Sequence, residues 1–187
     1  MRQIKRGLFS VFLFFLPLCA IAGDFRISEA QVNQYLSKKW GYSDDFSIPM
    51  LMKMHYQVDA LQAKIGEKNS DKVQLDGSVS ADIQFQGNPI NTKIAITFDV
   101  TPVYNPEQGA VYLKNLRILR WSSQPDKYAA QMQTLMPLIG NSLELLLNQF
   151  PVYTLDTRDN TQRMIKAMVK TLRIEQGYIV LETGVPL

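Results

Sequence analysis

Val73-Gln74-Leu75-Asp76-Gly77-Ser78-Val79-Ser80-Ala81-Asp82-Ile83-Gln84-Phe85 alternates from end to end. Val73, Leu75, Val79, Ala81, Ile83 and Phe85 share one face, with Gly77 in register among them, and every residue between them is polar. Side chains of a strand point to opposite faces in turn, so this pattern predicts a strand with one dry and one wet face. The turn Gln86-Gly87-Asn88-Pro89 predicts a reversal. The return strand carries Ile90, Ile94, Ile96, Phe98, Val100 and Tyr104 inward and Lys93, Thr97, Asp99 and Thr101 outward.

Upstream, Met52, Met54, Tyr56 and Val58 continue the dry face, after which the apolar set slips by one residue to Leu61, Ala63 and Ile65. A slip of one would turn the core face outward, so a β-bulge is expected near Asp59-Ala60. Gly66 to Asp71 reads as a polar turn. Downstream, Asn105 to Gly109 turns into a fourth strand, Val111 to about Trp121, with Leu116 and Ile118 out of phase with Val111 and Leu113. Long neighbouring strands joined by short turns form an antiparallel meander. Strands of roughly 12 to 15 residues exceed the usual 5 or 6 and require strong twist, and bulges and glycines are what curve a sheet.

A curved meander wraps around something, and the following segment suits that place. A helix is expected from Pro125-Asp126 to about Asn148. Met132, Leu135, Met136, Ile139, Leu143, Leu146 and Leu147 form its apolar stripe, and Leu138 and Leu145 widen it. Such a wide stripe is buried by more than one surface. Pro137 should kink the helix. Ser28-Glu29-Ala30-Gln31 is a capping box opening an earlier helix that runs to about Lys39. Gly41 to Pro49 reads as a loop and Val152 to Leu155 as a short extended piece. Asp159 to Lys170 reads as a helix with Met164, Ile165 and Met168 inward, and Leu172 to Leu181 as a hairpin turning at Gln176-Gly177. The fold class is thus α+β, a long curved antiparallel meander around a long helix.

Residues 1–22 have the layout of a secretory signal: Arg2, Lys5 and Arg6, then an apolar run from Leu8 to Leu18, then Ala20-Ile21-Ala22. The run is shorter than the roughly 20 residues of a membrane span. The mature protein is expected to be one domain, residues 23–187, exported to the periplasm. Cys19, the single cysteine, raises an alternative. A lipoprotein signal ends in a cysteine that follows a small residue and becomes acylated, which would anchor the protein to a membrane. Leu18 stands where that small residue belongs, so cleavage after Ala22 is the expectation. Loss of the leader removes three of the 20 basic residues and none of the 17 acids, leaving 17 of each. A nucleic-acid partner calls for a basic excess, and none survives.

The inventory of reactive groups is short. His55 is the sole histidine, so a multi-histidine metal site is excluded and a catalytic triad would have to use it. Its place on a wet strand face suits a solvated residue. Asp44-Asp45, beside Ser43 and Ser47, reads as turn and cap chemistry. Asp156 to Asn160 lacks the glycine and distal glutamate of a calcium loop and reads as a helix start. Met50, Met52 and Met54 could in principle supply thioethers to Cu(I). On one strand face they would stand about 6.6 Å apart, which favours an adaptable apolar surface instead. No catalytic residue, metal ligand or cofactor is assigned.

Ile27-Ser28-Glu29-Ala30-Gln31-Val32-Asn33, Pro102-Val103-Tyr104 with Gly109-Ala110-Val111-Tyr112-Leu113-Lys114, and Gln133-Thr134-Leu135-Met136-Pro137 occur in this order. Together they resemble the YceB-like family of bacterial envelope lipoproteins over essentially the whole mature chain. The resemblance implies a fold like half of a tubular lipid-binding (TULIP) module, with an apolar groove between a curved sheet and a long helix. It implies a non-enzymatic envelope protein whose partner is a hydrophobic small molecule or lipid, such as an acyl chain or phospholipid. The groove would here be lined by Met54, Tyr56, Val58, Val79, Ile83, Ile94, Ile96 and Phe98 of the sheet and Leu135, Ile139, Leu143 and Leu146 of the helix. The other readings are a structural or adaptor protein whose concavity its own side chains fill, and a methionine-based Cu(I) binder. A filled core and a lined groove use the same residue types, so the residues alone leave carrier and adaptor both open.

Intact-mass analysis of protein purified from a bacterial envelope should show an unmodified chain beginning at Gly23. A diacylated or triacylated Cys19 at the N-terminus would overturn that expectation.

Overall fold

The computed structural model describes residues 24–67 and 71–184, so the leader and its cleavage site lie outside the described residues. Strand β1 (Phe25–Ser28) leads directly into helix α1 (Glu29–Ser37), followed by β2 (Ser43–Ile48), β3 (Met52–Ile65), β4 (Val73–Phe85), β5 (Asn88–Asn105) and β6 (Ala110–Gln124). A short 3-10 turn (Asp126–Tyr128) opens helix α2 (Ala129–Gln149), and β7 (Tyr153–Thr154), α3 (Asn160–Met168), β8 (Val169–Glu175) and β9 (Tyr178–Thr183) complete the chain. The meander is a six-stranded antiparallel sheet in the order β2-β3-β4-β5-β6-β7, and β1-β9-β8 form a second, smaller sheet.

Register explains the irregularities of the sequence. Val58 faces Val79 and Ala60 faces Ser78, so the extra residue is Asp59, where the phase slip predicts it. The bulge returns Leu61, Ala63 and Ile65 to the dry face opposite Gly77, Leu75 and Val73. Strand β6 shifts register twice against β5, once between the pairs Thr97–Arg120 and Phe98–Ile118 and once between Asp99–Arg117 and Thr101–Lys114. Those two shifts absorb the phase change of Leu116 and Ile118, and Asn115 takes a positive φ of 55° at the second. Each bulge adds local twist, so a sheet of strands 13 to 18 residues long curls around α2.

Helix α1 guards an edge. Its capping box is complete, with the Ser28 hydroxyl accepting from the Gln31 N–H at 3.3 Å and the Ser28 N–H donating to Gln31 Oε1 at 2.8 Å. Strand β2 pairs with β3 only as far as Gln57, and beyond that point the edge of β3 would be open. Asn33 closes it by exchanging two hydrogen bonds with the Ala63 backbone, at 2.9 and 2.7 Å. Glu29 accepts from the Ile65 N–H at 2.8 Å. An unpaired strand edge invites association with other chains, and here side chains of α1 satisfy it.

Four sequence expectations are corrected. The expected loop 41–49 contains strand β2, because Phe46 and Ile48 alternate against the core while Asp44 and Asp45 mask the pattern. Asp44 and Asp45 accordingly do not cap a turn: Asp44 accepts from the Tyr42 hydroxyl at 2.5 Å and Asp45 pairs with His55 at 2.9 Å. Helix α3 stops at Met168, since Val169 already pairs with Thr183 across the β8–β9 hairpin. Met164 is exposed rather than inward, while Ile165 is buried. The Asp159 carboxylate caps α3 by accepting from the Gln162 N–H at 2.8 Å, as its position suggests.

The two sheets meet at Gly66. The Gly177 N–H donates to the Ile65 carbonyl and the Glu29 N–H to the Gly177 carbonyl, at 2.8 and 2.9 Å. Gly66 has a φ of 64°, and a β-carbon there would stand 2.5 Å from the Glu175 carbonyl oxygen. Gly87, at the β4–β5 turn, has a similar positive φ but open space around it. Left-handed backbone alone costs a residue with a β-carbon roughly 1–2 kcal/mol. Gly87→Ala should lower stability by about that amount, and Gly66→Ala by about 3 kcal/mol or more, since backbone must also move. Urea unfolding followed by circular dichroism measures both, and equal losses would show that the junction yields freely.

Candidate functional site

The dry face of the large sheet carries two packed clusters with a less buried stretch between them. At one end Met52, Ala81, Ile83, Ile90 and Ile94 pack with Met132, Leu135 and Met136 of α2. At the other, Ala63, Ile65, Val73 and Val100 pack with Val32 and Leu36 of α1, Leu147 of α2 and Ile174 and Ile179 of the small sheet. Val58, Leu61 and Val79 lie between them on the same face, only partly buried, and belong to neither cluster. Gly77 sits among them. A β-carbon on it would be 3.5 Å from Leu61 Cδ1 and 3.6 Å from Ile96 Cγ2, so these two side chains close in over the glycine.

Helix α2 shows the same division along its length. Residues eleven apart on an α-helix lie within about 20° of one another around its axis. Leu135 and Leu146 are such a pair, yet Leu135 is 0 % exposed and Leu146 41 %. The apolar stripe is therefore sealed over its first half and less evenly covered over its second, where Leu145 and Leu146 are exposed, Leu143 is half-buried and Leu147 packs against the second cluster. Gly140 lets the helix approach β6, with Ile118 Cδ1 only 2.9 Å from where a β-carbon would be. Leu146 lies on the opposite flank from that contact, on the side from which Leu135 meets β4 and β5 one half-length earlier. The last turn is held down by the Lys114 ammonium, which donates to the Asn148 carbonyl at 2.7 Å and suits the negative end of the helix dipole.

Of the residues predicted to line a groove, Ile83, Ile94 and Leu135 are packed into the first cluster. Met54, Tyr56, Ile96 and Ile139 are partly buried against that cluster, and Phe98 against the other. Burial raises the pKa of the Tyr56 phenol, with the nearby Asp44 charge adding to the shift. Val58, Val79 and Leu143 are half-buried and belong to neither cluster, and Leu146 is exposed. Leu61 and Gly77, which the sequence reading did not include among the lining residues, share that face, because the phase slip brings Leu61 opposite Gly77.

Chemistry other than apolar contact is scarce. Among the described residues no group of three or more His, Cys, Asp or Glu is arranged to hold a metal ion. His55 faces outward with its Nδ1 on Asp45. Met52 is sealed in the core while Met50 is fully exposed at the β2–β3 turn, so these thioethers do not share one environment.

The chain is 28% identical over 164 residues to the protein named "Uncharacterized lipoprotein YceB" of Escherichia coli (strain K12), covering 87% of this chain and 88% of that one. It is 27% identical over the same length to the protein of that name from Salmonella typhimurium. A crystal structure of lipopolysaccharide binding protein aligns with 84% of this chain and 48% of its own length, at 11% identity and a TM-score of 0.27, so the chain spans about half of that structure. The family model described as "Protein of unknown function (DUF1439)" matches residues 27–178, and the chain belongs to that family.

Proposed function

We propose that this is a non-enzymatic protein of the bacterial cell envelope that holds one hydrophobic ligand, an acyl chain or a phospholipid tail, in the gap between sheet and helix. It is periplasmic after loss of its leader, or membrane-anchored if Cys19 is lipidated. The observation that carries the reading is the unevenly covered stripe of α2, whose Leu145 and Leu146 are exposed and Leu143 half-buried, together with the half-buried Val58, Leu61 and Val79 on the dry face of the sheet. Apolar surface left in water costs about 25 cal/mol per Å². A side chain of roughly constant type, buried at one end of a helix and exposed at the other, is economically explained by a removable occupant. An acyl chain gains about 0.8 kcal/mol for each methylene so buried. The resemblance to half of a TULIP module implies an apolar groove between a curved sheet and a long helix, which is in keeping with this reading. The adaptor reading differs in one respect, since it requires the gap to close by side-chain packing alone.

Stability separates the two halves of the stripe. Leu135→Ala should cost about 2–5 kcal/mol, as a large-to-small change in a packed core. Leu146→Ala should cost under about 1 kcal/mol, as an exposed position. Comparable losses at both, measured by urea unfolding, would mean that the gap is closed in solution.

Ligand occupancy is tested with a fluorescent fatty acid and a fluorescent phospholipid. Wild-type protein should bind at least one. Gly77→Leu and Leu143→Trp should weaken binding about tenfold or more while leaving the fold intact, because each places atoms where the ligand would lie. A β-carbon at Gly77 meets its neighbours at ordinary contact distance, and thermal unfolding of the leucine variant checks that the fold survives the larger side chain. Absence of binding by the wild type to either probe would leave the adaptor reading standing.

A further inference from the structure

The outer face of the large sheet is built in two different ways. Over one half, charges are matched: Asp76 takes the Thr97 hydroxyl at 2.5 Å, Gln74 at 3.1 Å and Arg120 at 3.3 Å, and Asp99 takes Arg117 at 2.6 Å and Lys72 at 3.5 Å. Over the other half the surface sinks into a depression of about 440 Å³ that spans β3 to β6. Its walls come from two neighbouring rows of cross-strand pairs. One row is His55, Asp82 and Asn91, and the other is Gln57, Ser80, Lys93 and Gln124.

We propose that this depression is a binding site for a neutral polyhydroxylated chain, a short oligosaccharide, separate from the apolar gap on the other face of the sheet. The argument rests on what its side chains leave unused. Gln57, Asp82, Asn91 and Gln124 make no side-chain hydrogen bond or ion pair to any described residue. His55 engages Asp45 through Nδ1 and has Nε2 free. Ser80 and Lys93 are drawn to one side by Asp59, at 2.8 and 3.3 Å.

What remains is three planar amides, one carboxylate and one ring nitrogen on adjoining strands. Amides and carboxylates offer donors and acceptors in fixed planes, which matches adjacent hydroxyls that each donate and accept. The alternatives fit less well. An anion would meet Asp82 with Lys93 already paired, an acyl chain would meet polar groups over about half of the lining, and a metal ion lacks a ligand set among the described residues. Strands lie about 4.8 Å apart, so the span from β3 to β6 is about 14 Å, a length for several linked sugars rather than one.

The test uses the intact mature protein with two soluble probes, the N-acetylglucosamine tetramer and maltotetraose, at millimolar concentration. Nitrogen–proton correlation spectra should show shifts confined to residues 55–57, 80–82, 91–93 and the side-chain amide of Gln124 with at least one probe. Binding to the N-acetylated probe alone would select acetamido sugars, and binding to both would select hydroxyl pattern only. Asp82→Ala with Asn91→Ala should weaken that binding about tenfold, each lost hydrogen bond being worth about 0.5–1.5 kcal/mol. Both side chains are exposed, so the fold should survive, and thermal unfolding checks this. Should that variant fail to fold, Gln57→Ala with Gln124→Ala serves the same purpose. No shift with either probe, shifts elsewhere on the surface, or binding indifferent to a folded double variant would overturn the proposal. None of these outcomes depends on whether the apolar gap holds lipid.

Discussion

Helix α2 is longer than the core that covers it, and much of the structure follows from that mismatch. Its first half supplies Met132, Leu135 and Met136 to a closed cluster with β3, β4 and β5. Its second half keeps the same apolar residue types but is covered unevenly, with Leu147 packed against the second cluster and Leu145 and Leu146 exposed. A helix is rigid on this length scale and cannot bend its stripe away from water, so the uncovered half must be tolerated, packed by something else, or filled. Gly140 fixes which flank is left open, because it draws the helix down on Ile118 of β6 and leaves Leu146 turned from that contact.

The sheet answers the helix through its irregularities. The bulge at Asp59 and the two shifts in β6 add twist where a regular ladder would stay flatter. Gly77 falls level with Leu61 and Ile96, which close in over it. The edge left free where β2 ends is stitched to α1 by Asn33 and Glu29. The curved sheet is therefore secured at its β3 margin by side-chain hydrogen bonds and at its β6 margin by a close helix contact. Its centre is left as the least packed part of the dry face.

The wet face carries its own organisation. Ion pairs at Asp76 and Asp99 brace the half that lies behind the second core cluster. For Asp76, desolvation opposes ionisation, but hydrogen bonds from Thr97 and Gln74 and the charges of Lys64 and Arg120 outweigh it and lower the pKa. The other half carries the Lys93–Asp59 and His55–Asp45 pairs together with the amides of Gln57, Asn91 and Gln124, which bond to no other described side chain. A sheet can thus present unrelated surfaces on its two sides, because alternation lets each face be composed independently.

Much of this was legible in the residues, and the limits have a physical cause. Strand alternation, the bulge at Asp59, the capping box at Ser28 and the stripe of α2 are local periodicities, fixed by geometry within a few residues. The sequence by itself therefore determined the long curved meander and the helix that it wraps. It did not determine strand β2, whose Phe46 and Ile48 become a pattern only when β3 lies alongside, or the early end of α3, where Val169 is taken by Thr183. Nor could it separate Leu135 from Leu146. The two are the same residue in the same stripe, and whether a leucine closes a core or lines a gap depends on what lies opposite, which only the tertiary structure decides.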